Sequence, residues 1–515
     1  MSAPAVAALL VCAPRASAQT MVNVRDFGAV GDGVADDADA IVAAVATLTP
    51  GSILYFPGGQ YRFARRHPPG GAAIVVTGLS DVEIRFEPDA ELVMDNIDAA
   101  TSTGTGHGIL VRGPASEISL RGVAIRWTRP AKRSIGDGIR IVGYPTGLGS
   151  PPTGWEGPSA PVRGVTLTGC RIQGSPQAGV IMMGASDIEV TGLRVRETRG
   201  DGLHFNACQQ GRVDDYTAND TGDDGLALVT YYSEEFGFDP AAETFSFPSL
   251  NEWSDAQFTA TNITVEGGGA NGVRLAGANG VEIISFAAKN VRSGAGVMID
   301  SASVGSDTEW NYVASRGVRL AGIGIRDCEF GLHVLARPDD ARDRRFADFD
   351  VRASDVTVRD CANWGVRAES ITDLPMTGLH VETCSVAATS TLGGHGGVGL
   401  GDTDGVVVGR VSIRHTKPVA AFQTHNSTNT AVHELYVAIA EPTAPSEPPP
   451  CVYLDQSSGV FDRVLVNWPA APASWHPIRV TNQGVGCGPQ YSDSPVKIRA
   501  LGVEPESVTD PVTRC

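Results

Sequence analysis

The sequence predicts an all-β solenoid, one spiral of ten or more coils, and three observations carry that prediction. One five-residue phrase (variable residue, Gly, apolar, variable, apolar) returns ten times, from His107-Gly-Ile-Leu-Val through Asp137-Gly-Ile-Arg-Ile, Asp201-Gly-Leu-His-Phe and Asp224-Gly-Leu-Ala-Leu to Gly396-Gly-Val-Gly-Leu. Its shortest intervals, Ala178 to Asp201 to Asp224, are 23 residues each. That is the length of one solenoid coil, and coils stack about 4.8 Å apart. Finally, 61 Gly, 32 Pro and 42% hydrophobic residues suit many short strands and turns. A solenoid grows by adding coils, so 515 residues read as one long domain.

The chain opens on a short apolar run at residues 3 to 12, and Ala16-Ser17-Ala18 before Gln19 has the small-x-small form of a signal-peptidase site. Residues 1–18 therefore read as a leader, and the mature protein as secreted, extracellular or periplasmic. A basic start is missing, which leaves an ordinary apolar arm as the other reading. No other stretch is long enough to span a bilayer, so no membrane association is expected after leader removal.

Next comes Val22-Asn-Val-Arg-Asp-Phe-Gly-Ala-Val-Gly-Asp-Gly-Val-Ala-Asp-Asp-Ala-Asp-Ala-Ile41, running into an Ala/Val stretch that ends near Leu48. Asp36 and Asp37 are placed to cap a short helix there. Tyr55-Phe-Pro-Gly-Gly-Gln-Tyr61 reads as a strand and turn. This opening closely resembles that of the pectate-lyase-like superfamily, whose members include glycoside hydrolase family 28. The resemblance implies a right-handed single-stranded parallel β-helix with an N-terminal capping helix, and structural rather than catalytic roles for Asp26, Asp32, Asp36 and Asp37.

Coils then occupy residues 19–440, with alternating strands such as Val165-Thr-Leu-Thr and Ile188-Glu-Val-Thr. Within the phrase the two apolar residues point inward, Gly permits the tight approach, and the first and fourth positions face outward. Long gaps near 143 to 160, 229 to 257 and 302 to 313 mark loops that wall a groove. The second is the most aromatic stretch, from Tyr231 and Tyr232 to Trp253. Its rings have two readings, saccharide-stacking faces or a hydrophobic loop packed on the solenoid. Residues 441–515, after a Pro-rich stretch, read as the C-terminal coil and cap.

Without Cys12, eight cysteines remain. Cys170, Cys328, Cys361 and Cys384 each follow a strand and read as small buried residues in a ladder. Cys451, Cys487 and Cys515 are the disulfide candidates of a secreted chain. With no Cys-x-x-Cys pair, zinc is not expected, and no cofactor or metal is called for.

The net charge of −18 and unclustered lysines argue against nucleic-acid binding. A polysaccharide or oligosaccharide is the expected partner, and oligomeric state stays open. Consecutive coils carry Asp201 with His204, then Asp223 and Asp224. Carboxylates held this close couple, so that one keeps a proton near neutral pH. Glycoside hydrolysis needs such a set, one acid for the leaving oxygen and one base for water. A separation of about 6.5–9.5 Å would admit the water and give inversion.

Arg199-Gly-Asp201-Gly with Thr221-Gly-Asp223-Asp224-Gly is similar to the paired aspartate motifs of family 28 polygalacturonases. The resemblance implies Asp223 as general acid and Asp201 and Asp224 as holders of the attacking water. Asn271-Gly-Val-Arg-Leu-Ala276 matches a later motif, whose arginine and lysine grip a galacturonate carboxylate in the family. Arg274 is kept and the lysine is Ala276, which favours a neutral glycan over pectin. The family's Gly-His-Gly is missing from the interval between Asp224 and Asn271; its two occurrences, at His107 and His395, lie far from the trio along the solenoid. His204, Asn271, Arg274, Tyr231 and Tyr232 are the expected substrate-binding residues, with Arg140 and Arg367 as outer subsites. Asp214, Asp215 and Asp220 read as solvated turn residues. Two other functions share this fold, a uronate lyase or C5-epimerase and a non-catalytic carbohydrate-binding β-helix.

Overall fold

The computed structural model describes residues 19–67, 70–306, 308–339, 342–388, 395–481 and 496–514. The leader, Cys12, Cys487 and Cys515 lie outside the described residues, as does the side chain of His395.

All ten phrases stack in sequence order as parallel rungs. Ile109 pairs with Ile139, and the line continues through Val180, Leu203, Leu226, Val273, Val297, Leu332, Val366 and Val398. It begins a coil earlier at Ile74 and extends through Phe422, Val452, Ile478 and Val512. A second stack runs Ile118, Val165, Ile188, Gly211, Phe258 and Val281. A third runs Ile125, Ile172, Val195, Ala218, Val265, Ala288 and Ile325. The chain is thus a parallel β-helix, and parallel pairing persists past residue 440 to Arg514.

Both apolar positions of the phrase point into the core: Ile139, Leu203, Phe205, Leu226 and Val273 are fully enclosed. Rung spacing explains the phrase glycine. A Cβ at Gly202 would meet the carbonyl oxygen of Gly225 on the next rung at 2.6 Å and the Tyr216 hydroxyl at 2.2 Å. At Gly211 the missing side chain makes room for the Phe258 ring, which packs on Phe205 with centroids 4.8 Å apart.

The capping helix, α1, spans Ala38–Val45 and buries Ala38, Ile41 and Ala44 against the first coils. Its N-terminus differs from the expected double cap. Asp36 Oδ1 accepts from Ala38 N, but the Asp37 carboxylate turns back to accept from Val30 N at 2.7 Å and Gly31 N at 3.1 Å. Asp32 Oδ1 accepts from Val34 N and Ala35 N. These aspartates hold the opening loop.

Two cysteine expectations need correction. Cys384 stands in register with Val356 and Val411 rather than beneath Cys361, so equal spacing does not make one ladder. Cys328 and Cys361 do adjoin, thiol to thiol. Cys451 is a buried free thiol whose Sγ donates to Pro477 O.

Because each rung's inward pair is sealed between neighbours, Phe205→Ala should cost about 3–5 kcal/mol, and Val34→Ala, at an exposed site, less than about 0.5 kcal/mol. Denaturant midpoints of the two variants check this.

Candidate active site

The first phrase residue does a structural job before any chemical one. His107 Nδ1 accepts the backbone N–H of Asp137, and Asp137 Oδ1 accepts that of Ala178. Two rungs on, Asp201 Oδ1 accepts from Asp224 N at 3.0 Å, Asp224 Oδ1 from Asn271 N at 3.0 Å, and Asn271 Oδ1 from Ala295 N at 2.9 Å. These side chains therefore lean along the solenoid axis instead of standing straight outward. Each carboxylate in the ladder is left one oxygen for other work.

Asp201, Asp223 and Asp224 present carboxylate oxygens that all lie within 4.8 Å of one another. This is closer than the 6.5–9.5 Å expected for a water-admitting pair, and it is the spacing of carboxylates that share a proton or an oxygen-liganded cation such as Ca²⁺ or Mg²⁺. Among the described residues this is the one such acidic group.

Three different environments surround the three acids. Asp201 Oδ2 lies 2.7 Å from His204 Nδ1. Burial pulls the His204 pKa down, but the hydrogen bond and charge of Asp201 outweigh it, and the ring ends above its ordinary value. Asp223, with 29% of its side chain exposed, takes an ion pair from Arg133 at 2.7 Å. Asp224 is enclosed; burial first, then the charge of Asp201, push its pKa up to about 7, against the opposing pull of Arg274. The proton thus resides on Asp224, whereas the family resemblance would place it on Asp223.

Asp201, His204, Arg133, Gln177, Tyr231 and Trp310 line a groove of about 610 Å³ along the phrase strands. Tyr231 packs on Trp310 with centroids 4.7 Å apart. His204 Nε2 is buried beside this groove without a partner among the described residues. The groove runs on to His107, Asp137 and Arg140, so His107, three coils away, shares it with Asp201. The tip of the aromatic loop, at residues 240–244, arches over that end, held by Glu243 on Arg140.

Several expected binding residues are placed otherwise. Asn271 is a buried cap whose Nδ2 also donates to Asp224 Oδ1 at 2.8 Å, so it positions Asp224 rather than meeting a ligand. Arg274 is held at both ends by Asp300 (3.1 and 2.9 Å) and by the Tyr312 hydroxyl, leaving no free fork to grip a carboxylate. Tyr232 turns from the groove to the Phe346 ring, with Arg345 over its face and Glu234 on its hydroxyl. Most rings of the aromatic loop pack on one another and on Trp155, as Phe236, Phe238 and Phe245 do. Arg367 pairs with Glu369 beyond the groove. Asp214, Asp215 and Asp220 bond separately to Thr261 and Asn262, Arg194 and Arg292.

Sequence reasoning missed Arg133, Gln177 and Trp310, which sit outside the repeated phrase. It also missed Asp255, a fully buried carboxyl that accepts from Cys208 N and the Thr230 hydroxyl and that burial pushes up to about 7.

Residues 21–67 match the family described as rhamnogalacturonase A/epimerase, pectate lyase-like. The fold is a parallel β-helix, and its opening is similar to that of pectate-lyase-like proteins. Among curated proteins, an 86-residue stretch is 38% identical to mannuronan C5-epimerase AlgE1 of Azotobacter vinelandii, covering 16% of this chain and 6% of that protein. Among solved structures, a family 28 exopolygalacturonase of Yersinia enterocolitica aligns over 87% of this chain and 78% of its own, at 14% identity and a TM-score of 0.47. A GH87 α-1,3-glucanase of Streptomyces thermodiastaticus aligns over 82% and 69%, at 16% identity and a TM-score of 0.42.

The raised Asp224 pKa has a definite linkage sign. Between its ordinary value of 3.8 and about 7 the folded chain holds a proton that the unfolded chain has lost, so this group's contribution to stability falls as pH rises through that window. Asp224→Asn, which keeps an acceptor for Asn271, should stabilise the protein at pH 8 by the order of a few kcal/mol and by much less at pH 4. Thermal unfolding at both pH values checks this; an equal shift at both would contradict it.

Proposed function

We propose that this chain is a secreted glycoside hydrolase that cleaves a polysaccharide held along the phrase-strand groove, with Asp201, Asp223 and Asp224 as its acid/base set. The observation that carries the reading is the convergence of three carboxylates within 4.8 Å, one of them keeping its proton to about pH 7.

In this reading the three acids divide the labour. Asp224 stores the proton in an enclosed site. Asp223, the member paired with the half-exposed Arg133, meets the leaving glycosidic oxygen and delivers that proton once substrate displaces the guanidinium. Asp201, hydrogen-bonded to the His204 ring, orients water and takes its proton as the new C–O bond forms. Tyr231 and Trp310 offer an aromatic wall to a sugar's C–H face. The inverting course rests on the family resemblance, and the anomer of the first product tests it.

A second reading, lyase or C5-epimerase action on a uronate, is favoured by the local match to a mannuronan C5-epimerase. The same trio could then hold a cation that neutralises the substrate carboxylate, with His204 or Tyr231 near the abstracted proton.

Reducing-end release across neutral and acidic polysaccharides, with ultraviolet absorbance followed in parallel, separates the two. The hydrolase predicts reducing ends without an unsaturated product and without a calcium requirement, a fall in kcat of roughly 10²–10⁴ for Asp223→Asn, and loss of activity as pH rises past about 7. An unsaturated, calcium-dependent product would transfer the assignment to the lyase.

A further inference from the structure

Beside the groove runs a second cleft of about 790 Å³, formed by the turns that precede the phrase on successive coils. It starts at Arg126 and Arg129, passes Arg199 and the bare turn of Gly222, Gly268 and Gly269, and ends at Arg292. Six consecutive coils contribute, so the trough extends roughly 25 Å along the axis at the rung spacing of a parallel sheet. Its wall touches the trio's own turn, Thr221-Gly222, and the segment carrying Arg133 separates it from the first groove.

The charge of this cleft is opposite to that of the chain. Four arginines line it against two acids, Glu197 and Asp220, in a protein of net charge −18. Arg126 is shared with Glu91, Arg129 reaches Asp95 only at 3.4 Å, and Arg292 meets Asp220 at 3.3 Å between two largely exposed side chains. Exposed pairs of this kind exchange readily for another anion. Arg199 is exposed and makes no side-chain hydrogen bond or ion pair among the described residues. Guanidinium groups spaced along a trough fit a strand with regularly spaced carboxylates, each able to accept two N–H bonds.

We propose that this cleft is a second binding site, an anchoring track for a carboxylate-bearing polysaccharide, distinct from the groove where bonds are broken. The inference rests on the polysaccharide reading above, but not on hydrolysis. It also reverses the preference for a neutral glycan that Ala276 and the net charge suggest.

The test is equilibrium binding of the full chain to polygalacturonate and polymannuronate, with dextran as the neutral control, at two salt concentrations. Wild-type protein should bind the polyuronates, more weakly at high salt, and ignore dextran through this site. Arg199→Glu/Arg292→Glu, two exposed positions outside the catalytic set, should weaken polyuronate binding roughly tenfold or more with an unchanged melting temperature. Asp201→Asn/Asp223→Asn should bind as wild type does. Unaltered binding in the arginine variant overturns the proposal, as does equal loss in the aspartate variant, which would put the strand in the first groove. Lack of any polyuronate binding overturns it too. A chain that binds in this pattern yet releases no reducing ends keeps the track and refutes only the hydrolase.

Discussion

One recurring hydrogen bond, in which the first phrase side chain of His107, Asp137, Asp201, Asp224 or Asn271 accepts from the backbone N–H one rung on, is the constraint from which the site follows. It fixes Asp201 over Asp224 and Asp224 over Asn271, and it consumes one oxygen of each carboxylate. Rung spacing then brings carboxylate oxygens of Asp201 and Asp224, with those of Asp223 between the same coils, within 4.8 Å of one another. A β-helix that caps its turns with aspartate on consecutive coils creates a carboxylate cluster as a by-product of its own stacking, and a partner such as Asn271 at the next coil ends the run with a neutral group.

Electrostatics then differentiates residues that the repeat makes equivalent. His204 hydrogen-bonds to Asp201, Arg133 pairs with Asp223 from a loop 90 residues upstream, and Asp224, enclosed and bonded only to neutral donors, has its pKa pushed up to about 7. Arg274 opposes this rise without reversing it, and its guanidinium is itself paired with Asp300. Asp255 adds a second buried acid behind His204, bonded only to a backbone N–H and a hydroxyl.

How much of this was legible follows the same division. Register is a matter of counting, so the ten phrases, the inward apolar pairs and the placement of Asp201 and Asp224 on adjacent rungs could be read from spacing. Partnership is not. The phrase shows that Arg274 faces the outer side, but not that Asp300, a coil further on, would take both ends of its fork. It gives no sign that Asn271 would spend its amide on Asp224, or that Tyr232, adjacent to a groove residue, would turn to Phe346. Arg133 had no signal at all, because its contact with Asp223 exists only once the coils have stacked. Cys384 shows the reverse failure: its place after a strand, shared with the other three, suggested a ladder, but its register falls on Val356.

Coupling between stacked carboxylates is the central claim, and a carboxyl ¹³C NMR titration of Asp224, in the wild-type chain and in Asp201→Asn, tests it most directly. The account predicts a midpoint near 7 in the wild type that falls when the Asp201 charge is removed. A midpoint near 4 in both proteins, or a high midpoint indifferent to Asp201, would contradict it.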